Sequence, residues 1–176
     1  MRTPFSWIPS EARIPILRRI FPLFTIVGIF MAALDSQLKS PISPFGIIDL
    51  QLTGSLDRVL ELFGQWQGAT RDILIFSLGA DFTYAICYGL TFGIGCLIAA
   101  DKFPKKKTFF ELGSWAVAIA ASLDWFENAA CVQAVLHGPT LVTTRITFII
   151  ASIKYILVLP AIIAAIGAYL IPKPKA

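Results

Sequence analysis

Apolar residues run through this chain in four long stretches, from about Ile20 to Leu38, Ile73 to Ala100, Phe109 to Leu136 and Leu141 to Leu170. Each approaches or exceeds the roughly 20 residues that an α-helix needs to cross ~30 Å of hydrocarbon at ~1.5 Å per residue. Charge, proline or glycine bounds every stretch. The pattern predicts an all-α polytopic membrane protein, a four-transmembrane-helix bundle with a polar external segment over 39–72. A basic flank before a short apolar run also fits a cleaved signal. Met31-Ala32-Ala33-Leu34 makes a poor small-residue cleavage site, however, so the first stretch is counted as a span.

The external segment has a pattern of its own. Pro41, Pro44 and Gly46 break the chain, and Ile47 to Thr53 reads as extended. After Gly54, Ser55 is placed to cap a short amphipathic helix. In it Leu56, Val59, Leu60, Phe63 and Trp66 recur on one face, while Asp57, Arg58 and Glu61 face water. Such a helix on the outer surface serves either as a packing cap for the bundle or as a lid over a site between the spans.

Composition agrees with a membrane solvent. The 176 residues are 56% hydrophobic and 15% charged, against a charged fraction of roughly 25% in soluble domains, and the mean hydropathy is +0.74. No repeat, charge block or Ser/Gly-rich linker divides the chain, so one domain over 1–176 is expected. Arg2, Arg13, Arg18 and Arg19, then Lys102, Lys105, Lys106 and Lys107, then Lys173 and Lys175 put ten of the fifteen basic residues on one side. The positive-inside tendency makes both termini cytoplasmic, in a bacterial inner membrane or another energy-transducing one. The pI near 9.1 then reports orientation. Lys105 to Lys107 suit contact with anionic lipid, but no aromatic-interleaved basic face supports nucleic-acid binding.

Cys87, Cys96 and Cys131 all fall within spans without a Cys-x-x-Cys, which speaks against thiol–disulfide exchange and for small buried apolar residues. His137 is the only histidine, so paired-histidine haem ligation or a histidine metal site cannot be built, and the chain nominates no cofactor.

Against this apolar background four ionisable residues stand out: Asp81, Asp124, Glu127 and Lys154 lie inside predicted spans. Counted from the outer ends at ~1.5 Å per residue, Asp81 lies ~12 Å deep, Glu127 ~14 Å, Asp124 ~18 Å and Lys154 ~20 Å, so they share a layer. Asn128 and Tyr84 fall within it, and Arg145, ~6 Å deep, either snorkels outward or bends toward it. Helical spacing gathers Asp81, Tyr84 and Tyr88 on one face, Asp124, Glu127, Asn128 and Cys131 on another, and Thr147, Lys154 and Val158 on a third.

A central Asp or Lys costs about 2.5–3.5 kcal/mol on insertion, against about 0.3–0.6 kcal/mol returned per Leu, Ile, Phe or Val. The third span should therefore turn its Asp124 side to protein and leave Trp115, Val117 and Leu123 free to face lipid. Three carboxyls against one lysine leave at least one to be balanced by a proton, by Arg145 or by a ligand.

Three uses suit such a layer. One is an interior network that fixes helix register in a non-catalytic accessory or structural subunit, partnered by the bilayer or by another membrane subunit. Another is an outward-opening pocket for a lipid-like molecule with one polar or cationic end. The last is proton-coupled transport, against which the cytoplasmic halves of the later spans are almost wholly apolar. Gly89, Gly93 and Gly95, with a Gly-x-x-x-Gly at Gly89 and Gly93, predict close helix packing in the second span, and Pro160 predicts a kink in the fourth.

Ile48-Asp49-Leu50-Gln51-Leu52-Thr53-Gly54, Asp81 with Tyr84 and Tyr88, Asp124-x-x-Glu127-Asn128 and Lys154 together resemble a pattern in uncharacterised bacterial four-span integral membrane proteins. The likeness covers most of the chain and implies the four-span architecture and the same polar residues, but no activity. Asp35-Ser36-Gln37 and the acids at 81, 124 and 127 are also similar in kind to features of the emopamil-binding family. That resemblance implies lipid isomerisation through a carbocation, with Glu127 and Asp124 as proton donor and acceptor; Lys154 has no counterpart there.

Overall fold

The computed structural model describes residues 3–171; Arg2, Lys173 and Lys175 lie outside them. The chain is 83% helix, with no strand among the described residues. Four long helices, α1 (Ser10–Ser36), α4 (Ala69–Lys102), α5 (Lys107–His137) and α6 (Leu141–Leu170), make up most of the chain, with two short ones, α2 (Ile47–Gln51) and α3 (Leu56–Gln65), between α1 and α4.

Three of the long helices, α1, α4 and α6, are long and apolar enough to cross a membrane. At 31 residues α5 is as long. Glu111, Asp124, Glu127 and Asn128 dilute its apolar character, and it is not among the three. Four spans were expected; composition supports three.

The helix ends follow local chemistry. α6 occupies the predicted 141–170, set off by Gly138 in the left-handed region (φ 90°) and Pro139. α1 begins ten residues before the predicted Ile20, because Arg13, Arg18 and Arg19 interrupt an apolar run without interrupting a helix. Pro15 and Pro22 lie inside α1, and Pro160 inside α6, which continues through it to Leu170.

The stretch from Ile47 to Thr53, expected to be extended, instead opens with the helical turn α2. Its start is fixed from a distance. The Asp35 carboxylate accepts a hydrogen bond from the Ile47 backbone N–H at 2.8 Å, and Gly46 (φ 61°) brings the chain against that carboxylate. Asp49 holds the preceding turn by accepting from the Phe45 N–H at 2.7 Å and the Ser43 hydroxyl at 3.3 Å.

α3 forms where predicted, with the Ser55 hydroxyl accepting from the Arg58 N–H at 3.4 Å. Its buried face is Val59, Leu62 and Trp66, with Phe63 partly buried; Leu60, placed on that face by the sequence, is exposed. The periodicity is the same, but the stripe is rotated toward Leu62.

Close packing divides the chain into two compact units, each drawing on all four long helices. The first comprises 1–25, 86–122 and 154–176, the second 26–85 and 123–153. In the second, Leu38, Leu50, Leu62, Trp66, Leu74 and Leu78 form an apolar core with Cys131 and Val135, so α2 and α3 pack onto α4 and α5. The Trp66 indole donates to the Leu38 carbonyl at 2.9 Å, satisfying the one polar atom that this ring buries. α3 thus caps a core.

In the first unit Ala99, Ala100, Phe110 and Ala168 pack together. The Arg13 guanidinium pairs with Asp101 at 2.5 Å, setting the start of α1 beside the end of α4. Residues before α1 turn back along α4, where Thr3 and Ile8 are buried and Phe5 lies against Gly93. The Gly-x-x-x-Gly motif therefore serves two partners. A β-carbon at Gly89 would lie 3.0 Å from that of Ala121 on α5, while Gly93 accommodates the aromatic ring.

Basic side chains close two helix ends. Lys102 Nζ donates to the Ala168 carbonyl at 2.7 Å and to that of Ile171 at the end of α6, and Arg71 donates to the Val135 carbonyl near the end of α5 at 2.9 Å. These carbonyls lack intrahelical donors and carry the negative end of the helix dipole, so a cation suits both.

Candidate functional site: the buried polar stripes of α4 and α5

The helix periodicity that predicted polar stripes holds in the folded chain. On α5 the buried positions Phe110, Ser114, Val117, Ala120, Asp124, Glu127, Asn128 and Cys131 follow the three-and-four rhythm of one face, continued by Ala134 and Val135, so the carboxyls of Asp124 and Glu127 point into protein. Val117, expected to face lipid, belongs to this buried face. Trp115 and Leu123 are half-buried, and the exposed face carries Ile119, Trp125 and Phe126. The stripe is one position off the expected one because Val117 precedes Asp124 by seven residues, two turns on the same side.

In the second unit Asp81, Asp124, Glu127 and Asn128 are all buried, Glu127 and Asn128 completely. Asn128 Nδ2 donates to Asp81 Oδ2 at 3.0 Å, joining α5 to α4 through two buried side chains 47 residues apart. A hydrogen bond to a carboxylate is the stronger, charge-assisted kind, and it fixes which turn of α5 faces which turn of α4. Tyr84, three residues on from Asp81, is half-buried, and its ring lies where a β-carbon at Gly28 of α1 would be 3.5 Å away.

Arg145 is exposed on α6, with no partner among the described residues. Of the two placements the sequence left open, the exposed side chain does not take the one that bends toward the polar layer. It does not join the buried carboxyls.

Tyr88 and Lys154 fall in the first unit. Both are buried, and Lys154 Nζ lies 4.8 Å from the centre of the Tyr155 ring, a cation–π distance. Lys154 stands on the stripe Thr144, Thr147, Ala151, Lys154, Val158 and Ala161, which includes the predicted Thr147, Lys154 and Val158.

Among the described residues, Asp81, Asp124, Glu127 and Lys154 are thus the acidic and basic side chains that the long helices bury. Among the described residues no group of His, Cys, Asp and Glu is arranged to hold a metal ion. A cavity of about 10 Å³ lies beside Leu50, Val59, Cys131 and Thr147, at the lower limit for one water, and none of the buried carboxyls lines it. Cys131 Sγ approaches the Thr147 hydroxyl there at 3.9 Å. All three cysteines are buried and outside any disulfide.

Two polar roles had no signal in the local sequence. Asp35, noted in the sequence only for a likeness to the emopamil-binding family, caps α2 and pairs with Lys39 at 3.5 Å. Ser77, Thr91 and Ser114 are buried on the α4 and α5 stripes, where small hydroxyl residues among apolar neighbours gave no contrast. Compared with protein-family models, with curated proteins and with solved structures, the chain matches none.

Proposed function

We propose that this chain is a non-catalytic integral membrane helix bundle, an accessory or structural subunit whose interior polar layer sets helix register. In this reading α5 crosses the bilayer with α1, α4 and α6, giving four spans with both termini cytoplasmic in a bacterial inner or other energy-transducing membrane. The observation that carries it is the Asn128–Asp81 bond, a buried interhelical link between two polar stripes. Such links contribute about 0.6–2 kcal/mol each within a membrane, enough to choose one register over its neighbours.

Two further features support it. Asp35, one of the acids on which the likeness to the emopamil-binding family rests, is engaged in capping α2. α5 turns the carboxyls of Asp124 and Glu127 inward and Trp125 and Phe126 outward, the arrangement that lets a helix with acids at mid-length lie in lipid. Arg13, Arg18, Arg19, Lys102 and Lys105 to Lys107 at one end support the orientation.

Native mass spectrometry of the purified full chain tests the reading. The expected result is no small molecule held one-to-one through Asp81 or Glu127. A lipid-like molecule lost on Asp81→Asn or Glu127→Gln with helicity intact would replace it with a ligand pocket. Proton flux in liposomes abolished by those changes would replace it with a transport path.

A further inference from the structure

The basic residues around the ends of α1 and α4 are not equivalent. Arg13 is paired with Asp101, Lys107 with Glu111 at 3.8 Å, and Lys102 with the terminal carbonyls of α6. Arg18, Arg19, Lys105 and Lys106 are exposed and have no partner among the described residues.

Arg18 and Arg19 are also displaced along the helix. They follow Arg13 by five and six residues, which places them ~7.5–9 Å further along α1. Since Arg13 lies beside Asp101 at the end of α4, that displacement runs from the end of α4 toward its middle. Their exposed neighbours are Ile14, Phe21 and Leu23, and beyond them Ile26, Ile29 and Phe30 are exposed too. Two guanidinium groups thus stand where an exposed apolar surface begins.

We infer that Arg18 and Arg19 form a docking site for the headgroup of an anionic phospholipid, with Lys105 and Lys106 adding positive potential in the same unit. The guanidinium fork matches two phosphate oxygens at once, and its weak hydration lets it sit at the acyl boundary. A net negative headgroup is favoured over a zwitterionic one, whose own ammonium the cluster repels. The site rests on α1 being a membrane span, but not on the role proposed for the polar layer.

Lipid titration with native mass-spectrometric readout tests it, using the full chain with phosphatidylglycerol and, in parallel, phosphatidylcholine. Phosphatidylglycerol should be retained about tenfold better, and Arg18→Gln/Arg19→Gln should remove most of that preference, as expected for two charges at a membrane surface. Arg145→Gln, at the exposed arginine of α6 that has no partner among the described residues, should leave it unchanged. Arg18→Lys/Arg19→Lys, which preserves charge, should keep a preference but weaken it several-fold, and serves should the glutamine variant misfold. Equal retention of the two lipids, or full retention by both arginine variants, would overturn the inference. A chain that carbonate washing strips from membranes would remove the premise that α1 spans; one that resists washing without lipid preference refutes only the docking site.

Discussion

The ring of Phe5 lies against the backbone of Gly93, so close that a β-carbon there would come within 2.8 Å of Cδ2 and nearer still to Cε2. Residues ahead of α1 are thereby tied to the middle of the second half of α4. Gly93→Ala forces the ring aside, an overpacking cost of about 1–3 kcal/mol set against about 1 kcal/mol of improved helix propensity. The variant should be destabilised by about 1 kcal/mol. In a Phe5→Ala background the same substitution should stabilise, because only the propensity gain remains. Unfolding in mixed detergent followed by circular dichroism gives both values; equal effects in the two backgrounds would deny the contact.

Asp35 offers a second separation of roles. If its task is to accept from the Ile47 N–H, Asp35→Asn keeps an oxygen there and loses only the exposed pairing with Lys39, at a cost of a few tenths of a kcal/mol. Asp35→Ala removes the cap and should cost about 1 kcal/mol. Gly46→Ala should be worse than either. It adds about 1–2 kcal/mol for a left-handed residue and brings its β-carbon within 2.6 Å of the carboxylate carbon of Asp35. Proteolysis rates of the 39–55 segment report all three.

The long helices and the inward stripes were legible because burial of charge in an apolar run has few solutions. Once Asp124 and Glu127 are placed on one helix, three-and-four spacing dictates that Asn128 and Cys131 accompany them, and the folded chain buries all four. What the sequence hid depends on distant partners. α2 is helical because a carboxylate twelve residues earlier caps it, and nothing between Ile47 and Thr53 signals that. Phe5 belongs to no periodic pattern, so its seat on α4 had no precursor in the sequence. The rotation of α3 toward Leu62 has the same origin: Leu60 and Leu62 are equally apolar, and only the positions of Leu38, Leu74 and Leu78 decide between them.

That choice can be measured. Leu62 is fully buried and Leu60 is half exposed, so Leu62→Ala should cost about 2–5 kcal/mol and Leu60→Ala less than about 0.5 kcal/mol. Thermal unfolding of the two variants in detergent suffices. Comparable costs would return α3 to the orientation that periodicity alone suggested.

The Asn128–Asp81 bond makes the sharpest demand on the interior. Asn128→Leu removes one donor from the buried Asp81 side chain, and losing a buried hydrogen bond costs about 1–3 kcal/mol. Asp81→Asn retains an oxygen that can accept from Asn128 and removes only the charge assistance, about half the strength of the bond. Asn128→Leu should therefore destabilise more than Asp81→Asn, and adding Asp81→Asn to Asn128→Leu should recover part of the loss, since the residue facing the apolar Leu side chain is then a neutral amide. Unfolding free energies for the three variants in one detergent mixture decide the matter. If the double variant is instead as unstable as the sum of the singles, the two side chains act independently, and the bond does not set the register of α4 and α5.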